Sequence, residues 1–265
     1  MKYRNLLFWA IAIIITLASS YFQRQTGPTK PYRGQVEIAG QEIDVRLIRS
    51  FPRPMDAPVR VVVEDEDIHG YFRYKRYPSF DIWDTLELVR RDEHLIAFIP
   101  RQPAAGKVMY QIVLEKHDEK VKLSEEPIII RFRNSVPAWA MLPHIILMFT
   151  AMLFSNRAAL AALGGQKTFT YVVLAFSTFV AGGLIFGPIV QKYAFGDWWT
   201  GWPFGTDLTD NKTAVAFIFW LVAFFKTRKD KHHRTWVLVA ALVLLIIYYI
   251  PHSLFGSEID WTQEP

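Results

Sequence analysis

The chain has 265 residues, with 30 Lys and Arg against 25 Asp and Glu, a 51% hydrophobic share and no cysteine. Without cysteine there is no disulfide, thiolate metal site, iron–sulfur cluster or thioether-linked haem, so any cofactor must be held by His, carboxylate or other oxygen ligands. The basic excess sits largely in short loops between apolar runs and forms no basic–aromatic stripe, a pattern that reports membrane orientation and speaks against nucleic acid.

The first apolar run, 6–22, follows Lys2 and Arg4. It approaches the roughly 20 residues that cross a bilayer and predicts an N-terminal transmembrane anchor over 1–24. The same features, with the small residues of "LASS", also fit a secretory signal peptide. Under either reading the hydrophilic stretch that follows is exported.

That stretch reads as strands. "PVRVVVED" is β-branched. "KVMYQIVLE" sets Val108, Tyr110, Ile112 and Leu114 on one face and Gln111 and Glu115 on the other. "EEPIIIRFR" alternates Ile128, Ile130 and Phe132 with Arg131 and Arg133. Such two-residue periodicity marks half-buried strands. Pro52, Pro54, Pro78-Ser79, "RRDEH" and "PRQPAAGK" are turn signals. They divide the block into about seven strands, which suits an all-β, two-layer sandwich over 33–134.

On "GYFRYKRYPS", "LIAFIPRQPAAGKVMYQIVLE" and "PIIIRFRNSVP" this block resembles bacterial fibronectin III or immunoglobulin-like modules. It lacks the Cys pair of antibody domains. The resemblance implies a module that binds or spaces other molecules, and it carries over no functional residue. The aromatics and cations of "RYKRYPSFDIWD" fit a carbohydrate or partner surface, but strands that mix the two are more often ordinary sandwich faces. His69, His94 and His117 have no ligand spacing and read as surface residues.

Four further apolar runs, 137–154, 169–190, 213–225 and 235–250, predict an α-helical bundle of four transmembrane helices within 137–252. The run 213–225 offers about 13 apolar residues, roughly 20 Å of helix against a hydrocarbon core of about 30 Å. It can cross only if its helix starts near Leu208. Within the third run "GLIFG", 183–187, is a small-xxx-small pair that predicts close helix approach.

Arg157 and Lys167 fall between the second and third spans, and the basic turn "KTRKDKHHR" falls between the fourth and fifth. Counting Lys and Arg places the N-terminus and both loops in the cytoplasm of a bacterial-type inner (plasma) membrane. Residues 23–135 and an exported C-terminal tail, 253–265, then lie outside. His232 and His233 belong to the basic turn, where contact with anionic lipid is expected.

This topology gathers several chemically capable residues at the outer face. His144 in "LPHII" and His252 in "IPHSL" each follow a proline. The 193–212 loop brings Trp198, Trp199, Trp202, Asp197, Asp207 and Asp210, and the tail brings Glu258 and Asp260. His144 and His252 are candidate cofactor ligands for a b-type haem. With Asp207 and Asp210 they are candidate ligands for a divalent metal, and a quinone head group is a third possibility. Each feature also has a structural reading: Pro143 and Pro251 as helix-end devices, the Trp residues as an interfacial belt, and Asp207 or Thr209 as a cap.

No Walker loop, nucleophile elbow, HExxH helix or dinucleotide fingerprint occurs, which lowers the case for an enzyme. Two functions follow from the sequence. One is an accessory, assembly or docking subunit whose partners are the lipid bilayer and other membrane or periplasmic proteins. The other is a haem-, metal- or quinone-binding redox subunit. Transport is disfavoured by the apparent lack of a charged or broken helix within a span.

Overall fold

A computed structural model describes every residue except 1, 53, 230–233, 252–255, 257 and 264–265. The chain divides into two compact units, Met1–Pro28 with Val136–Ser257, and Thr29–Ser135 with Glu258–Pro265. The class is mixed, with sheets in the middle of the chain and long apolar helices on either side.

The helical unit consists of α1 (Lys2–Thr26), α2 (Ala138–Leu163), α3 (Phe169–Phe179), a π-helical stretch (Val180–Phe186), α4 (Gly187–Phe195), α5 (Leu208–Lys229) and α6 (Arg234–Tyr249). Because α3, the π stretch and α4 run on without a break, four stretches are long and apolar enough to cross a membrane: Tyr3–Thr26, Ala138–Leu163, Phe169–Phe195 and Leu208–Arg228. The apolar helix α6 is shorter. α5 begins at Leu208, so Asp210, Asn211 and Lys212 lie in its first turns.

Two sequence expectations need correction here. Arg157 is not in a loop, because α2 continues to Leu163 and carries it inside the helix. The third span is not regular, because seven of its residues are π-helical.

Packing in this unit is the reverse of a water-soluble bundle. Its shared core is rich in alanine, with Ala151, Ala158, Ala162, Ala175, Ala216, Ala223 and Ala240 around Phe179 and Trp220. Meanwhile Leu142, Ile146, Ile185, Ile218, Leu242 and Ile246 are more than half exposed. In hydrocarbon no hydrophobic force drives helices together, so small residues that admit close van der Waals contact occupy the interfaces. An apolar exterior over an alanine core therefore points to bilayer contact. α1 belongs to this bundle and makes it five-helical: Trp9 packs edge-on against Phe154 and Tyr171, Phe22 meets Tyr249, and Asn156 Nδ2 donates to Thr16 Oγ1 at 3.0 Å.

The β unit has eleven strands among the described residues: β1 (Tyr32–Ile38), β2 (Gln41–Leu47), β3 (Ser50–Phe51), β4 (Ala57–Val62), β5 (His69–Tyr77), β6 (Asp84–Glu87), β7 (Val89–Arg91), β8 (His94–Ile99), β9 (Lys107–Lys116), β10 (Glu119–Lys122) and β11 (Ile128–Phe132). They form a β1-β2 hairpin, a six-stranded sheet in the order β3-β11-β9-β5-β6 with β10 paired to β9, and a three-stranded sheet β4-β8-β7. The extra strands are the short edges β3, β6, β7 and β10, each too brief to display a full alternation.

One core cluster draws on all three sheets, through Ile38, Val45, Val59, Phe72, Leu95, Ile112 and Ile130. Val108, Tyr110, Ile112 and Leu114 are fully buried. The opposite side of β9 is covered as well, since Gln111 is buried. Its Oε1 accepts from Arg73 Nε at 3.1 Å, and its Nε2 donates to the Ser124 carbonyl at 3.3 Å.

The C-terminal tail belongs to this unit. Glu258 pairs with Lys107, the Trp261 N–H donates to the Pro78 carbonyl at 3.1 Å, and the Arg76 guanidinium lies 4.5 Å from the Trp261 ring centroid. Glu258 and Asp260 are grouped with the sheets.

Candidate functional site

His144 lies in the second turn of α2, one residue after Pro143, which the helix absorbs without ending. Its Nδ1 is 2.8 Å from the Gly182 carbonyl in the π stretch. A carbonyl only accepts, so Nδ1 carries the proton and, in the neutral ring, Nε2 presents a lone pair. The same carbonyl accepts the Gly187 N–H, the five-residue bond that defines the π turn.

Close approach makes this contact possible. A Cβ at Gly182 would sit 2.9 Å from Leu147 Cβ and 3.1 Å from the Met148 nitrogen, whereas the nearest neighbours of Gly183 and Gly187 are at ordinary distances. The small-residue contact expected at 183–187 is thus realised one residue earlier, at Gly182.

The imidazole lines a cleft of about 300 Å³ together with Gln23, Met141, Met148, Val190 and Tyr248. Four helices contribute to it, α1, α2, α4 and α6. The wall is apolar apart from Gln23, the imidazole and the tyrosine, and it contains no carboxylate.

The carboxylates of the loop before α5 have a different task. Asp210 is buried, and its Oδ2 accepts from the Thr200 N–H at 2.6 Å, the Gly201 N–H at 3.0 Å and Gln191 Nε2 at 3.0 Å. Asp207, also buried, caps α5: its Oδ1 accepts from the Thr209 N–H at 2.7 Å and from the Asp210 N–H at 3.4 Å. Asn211 Oδ1 accepts from the Trp202 N–H at 2.6 Å. Three successive residues of the loop, 200–202, are therefore fastened by their amides to the first turn of α5.

The glycines fit this arrangement sterically. A Cβ at Gly201 would meet Asp210 Cβ at 2.6 Å, and one at Gly205 would meet the Thr200 carbonyl oxygen at 2.4 Å. Trp199 Nε1 donates to the Trp202 carbonyl at 3.1 Å, while Trp198 and Trp202 are largely exposed. The buried Lys212 spans to α6 and donates to the Ile250 carbonyl at 2.8 Å.

The expected site is therefore divided. His144 faces an apolar cleft, whereas Asp207 and Asp210 organise a loop. Asp210 Oδ2 and both oxygens of Asp207 accept from amide, hydroxyl and side-chain donors. His252 lies outside the described residues, so its pairing with His144 has no geometry. Among the described residues no group of three or more His, Asp and Glu is placed to hold a metal ion.

Sequence reasoning missed Gln191 and Thr200, which complete the Asp210 cluster. The spacing of small residues in "TGWPFG" was the available signal. It also missed Gln23 and Tyr248 as cleft residues, for which no local signal exists. A scan against protein-family models finds no match to this chain, and a search of curated proteins finds none either.

Proposed function

We propose that this chain is an integral protein of a bacterial-type inner membrane. It displays an immunoglobulin-like β-sandwich on the outer side and serves as an accessory, assembly or docking subunit of a membrane complex. Sidedness is supported by the Lys and Arg of the loops.

The docking role rests on one observation: Phe80 and Ile82, in the turn between β5 and β6, are each 85% exposed. That turn is braced. Arg76 holds Asp81 through Nε at 2.8 Å and Nη2 at 3.1 Å, and Ser79 Oγ donates to the Arg76 carbonyl at 2.6 Å. Two large apolar side chains on a pre-ordered turn lose little entropy on association, which is the character of interface anchors.

Replacing Phe80 with a photo-crosslinking residue in the full chain, in native membranes, tests this. A discrete adduct is expected, and Ile82→Glu should abolish it without changing expression. No adduct at 80, or the same adducts from a label at exposed Val62, would refute the docking role.

A second reading is supported by the His144 cleft. π-Helical segments recur at functional sites, and about 300 Å³ of apolar space with one imidazole suits a small amphipathic ligand. With no carboxylate in the wall, a divalent metal has too few ligands among the described residues. A ring hydroxyl, as in a reduced quinone, complements the Nε2 lone pair, and a b-type haem would need His252. Purified protein with no Soret band, no stoichiometric metal and no co-purifying quinone would end this reading.

A further inference from the structure

A second recess in the helical unit, of about 570 Å³, is walled by Arg4 and Asn5 of α1, Arg157 of α2, Gln166 and Lys167 of the α2–α3 connection, and Tyr171 of α3. No Asp or Glu lines it. Arg157 is only 1% exposed. Its Nη2 donates to Asn5 Oδ1 and to Gln166 Oε1, the latter at 3.1 Å. The guanidinium carbon lies 4.3 Å from the Tyr171 ring centroid, with Trp9 at 5.5 Å and Phe8 at 5.6 Å.

Amide oxygens and aromatic faces only partly offset a buried positive charge. Nε and Nη1 of Arg157 are buried without any acceptor, and no carboxylate pairs with this residue among the described residues. Arg4 and Lys167 add two more positive charges to the walls, and Arg234 reaches the adjoining Gly165 carbonyl at 3.1 Å. An ionisable side chain buried within an apolar helix marks a site by default. Here the deficit is in anionic oxygen.

We propose that this recess binds a phosphate group, with Arg157 as its buried anchor and Arg4 and Lys167 as the flanking cations. A guanidinium whose faces are stacked keeps its N–H edge for oxygens in its own plane, which is the way arginine takes phosphate. The phosphate comes either from an anionic lipid headgroup or from solution. Exposed Leu163 and Phe169, at the two ends of the same connection, are suited to contact acyl chains.

The test uses the full chain in detergent, titrated separately with phosphatidylglycerol, phosphatidylcholine, inorganic phosphate and chloride, with binding read from thermal shift. Arg4→Ala/Lys167→Ala is the informative variant, because both side chains are exposed. At about 1 kcal/mol per cation, the double variant should bind about thirtyfold more weakly. Arg46→Ala/Arg60→Ala, which removes the same charge from exposed positions of the β unit, should leave affinity nearly unchanged.

A response to phosphatidylglycerol beyond that to inorganic phosphate identifies the lipid as the source. An equal response to inorganic phosphate alone identifies the free ion. No response to either above the phosphatidylcholine and chloride controls would overturn the proposal. So would equal binding by the Arg4→Ala/Lys167→Ala variant, or an equal loss in the β-unit control.

Discussion

Replacing Asp210 with alanine should unfasten the loop that precedes α5. The carboxylate receives two backbone amides and one side-chain amide at 3.0 Å or less, and Asp210 is only 6% exposed. A hydrogen bond to a charged acceptor contributes roughly 1.5–3 kcal/mol, and a buried donor left without an acceptor forfeits that and its desolvation cost too. Counting only the two backbone donors, and letting water reach one of them, the loss is about 3–4 kcal/mol. For a unit of this size each kcal/mol moves the melting temperature by roughly 2–4 °C, so a fall of about 10 °C is expected.

Asp210→Asn keeps an oxygen but not the charge, and should fall between wild type and alanine. Asp197→Ala is the control, since Asp197 is exposed in the same loop, and it should stay within about 0.5 kcal/mol of wild type. The assay is thermal melting of the full chain in detergent, followed by tryptophan fluorescence. Coincident melts for Asp210→Ala and Asp197→Ala would refute the argument and make the loop an ordinary solvated connector.

Gly201→Ala places a methyl 2.6 Å from Asp210 Cβ and should cost about 1–3 kcal/mol in the same melt. In the β unit, burial raises the Tyr110 phenol well above its usual 10.0. Stability is therefore full below about pH 10 and falls as pH rises above it, because only the unfolded chain ionises there, with a limiting slope of about 1.4 kcal/mol per pH unit. Tyr110→Phe should flatten that alkaline limb in a fluorescence titration, while leaving the Ile48 carbonyl without its 2.8 Å donor. At the acid end, the Lys116 hydrogen bond, followed by the Asp67 N–H, holds the Asp65 carboxyl below its ordinary 3.8. Its contribution is complete above about pH 4 and fades as pH falls through the depressed value, so Asp65→Asn should make the acid limb shallower.

How much of this could be read beforehand differs by element. The start of α5 near Leu208 follows from arithmetic, because 13 apolar residues cannot cross the hydrocarbon. The inward face of β9 follows from a period of two. The outward face misleads, since Gln111 is polar yet buried, with its hydrogen bonds met by Arg73 and Ser124. Arg157 escapes because "SNR" interrupts the apolar run at a turn-like triplet, although the alanines that follow continue the helix. Ser155, Asn156, Arg157 and Ala158 are all buried in succession, which no single amphipathic stripe can produce. Such burial means that α2 is enclosed on several sides at that level, a property of its neighbours and not of its own residues. The π stretch is of the same kind, a register adjustment that brings the Gly182 carbonyl to His144 without a local sequence mark.

The attachment of the tail to the β unit has a consequence of parity. In the proposed placement, a polypeptide that leaves that unit after Ser135 and rejoins it at Glu258 must traverse the bilayer an even number of times. Three of the intervening helical stretches are long enough, and α6, with 16 residues, must supply the fourth passage. At 1.5 Å per residue its described part, Arg234–Tyr249, accounts for about 24 Å of an average hydrocarbon layer of about 30 Å. The Lys212 ammonium, tied to the Ile250 carbonyl just after α6, marks the level at which that passage meets the headgroups.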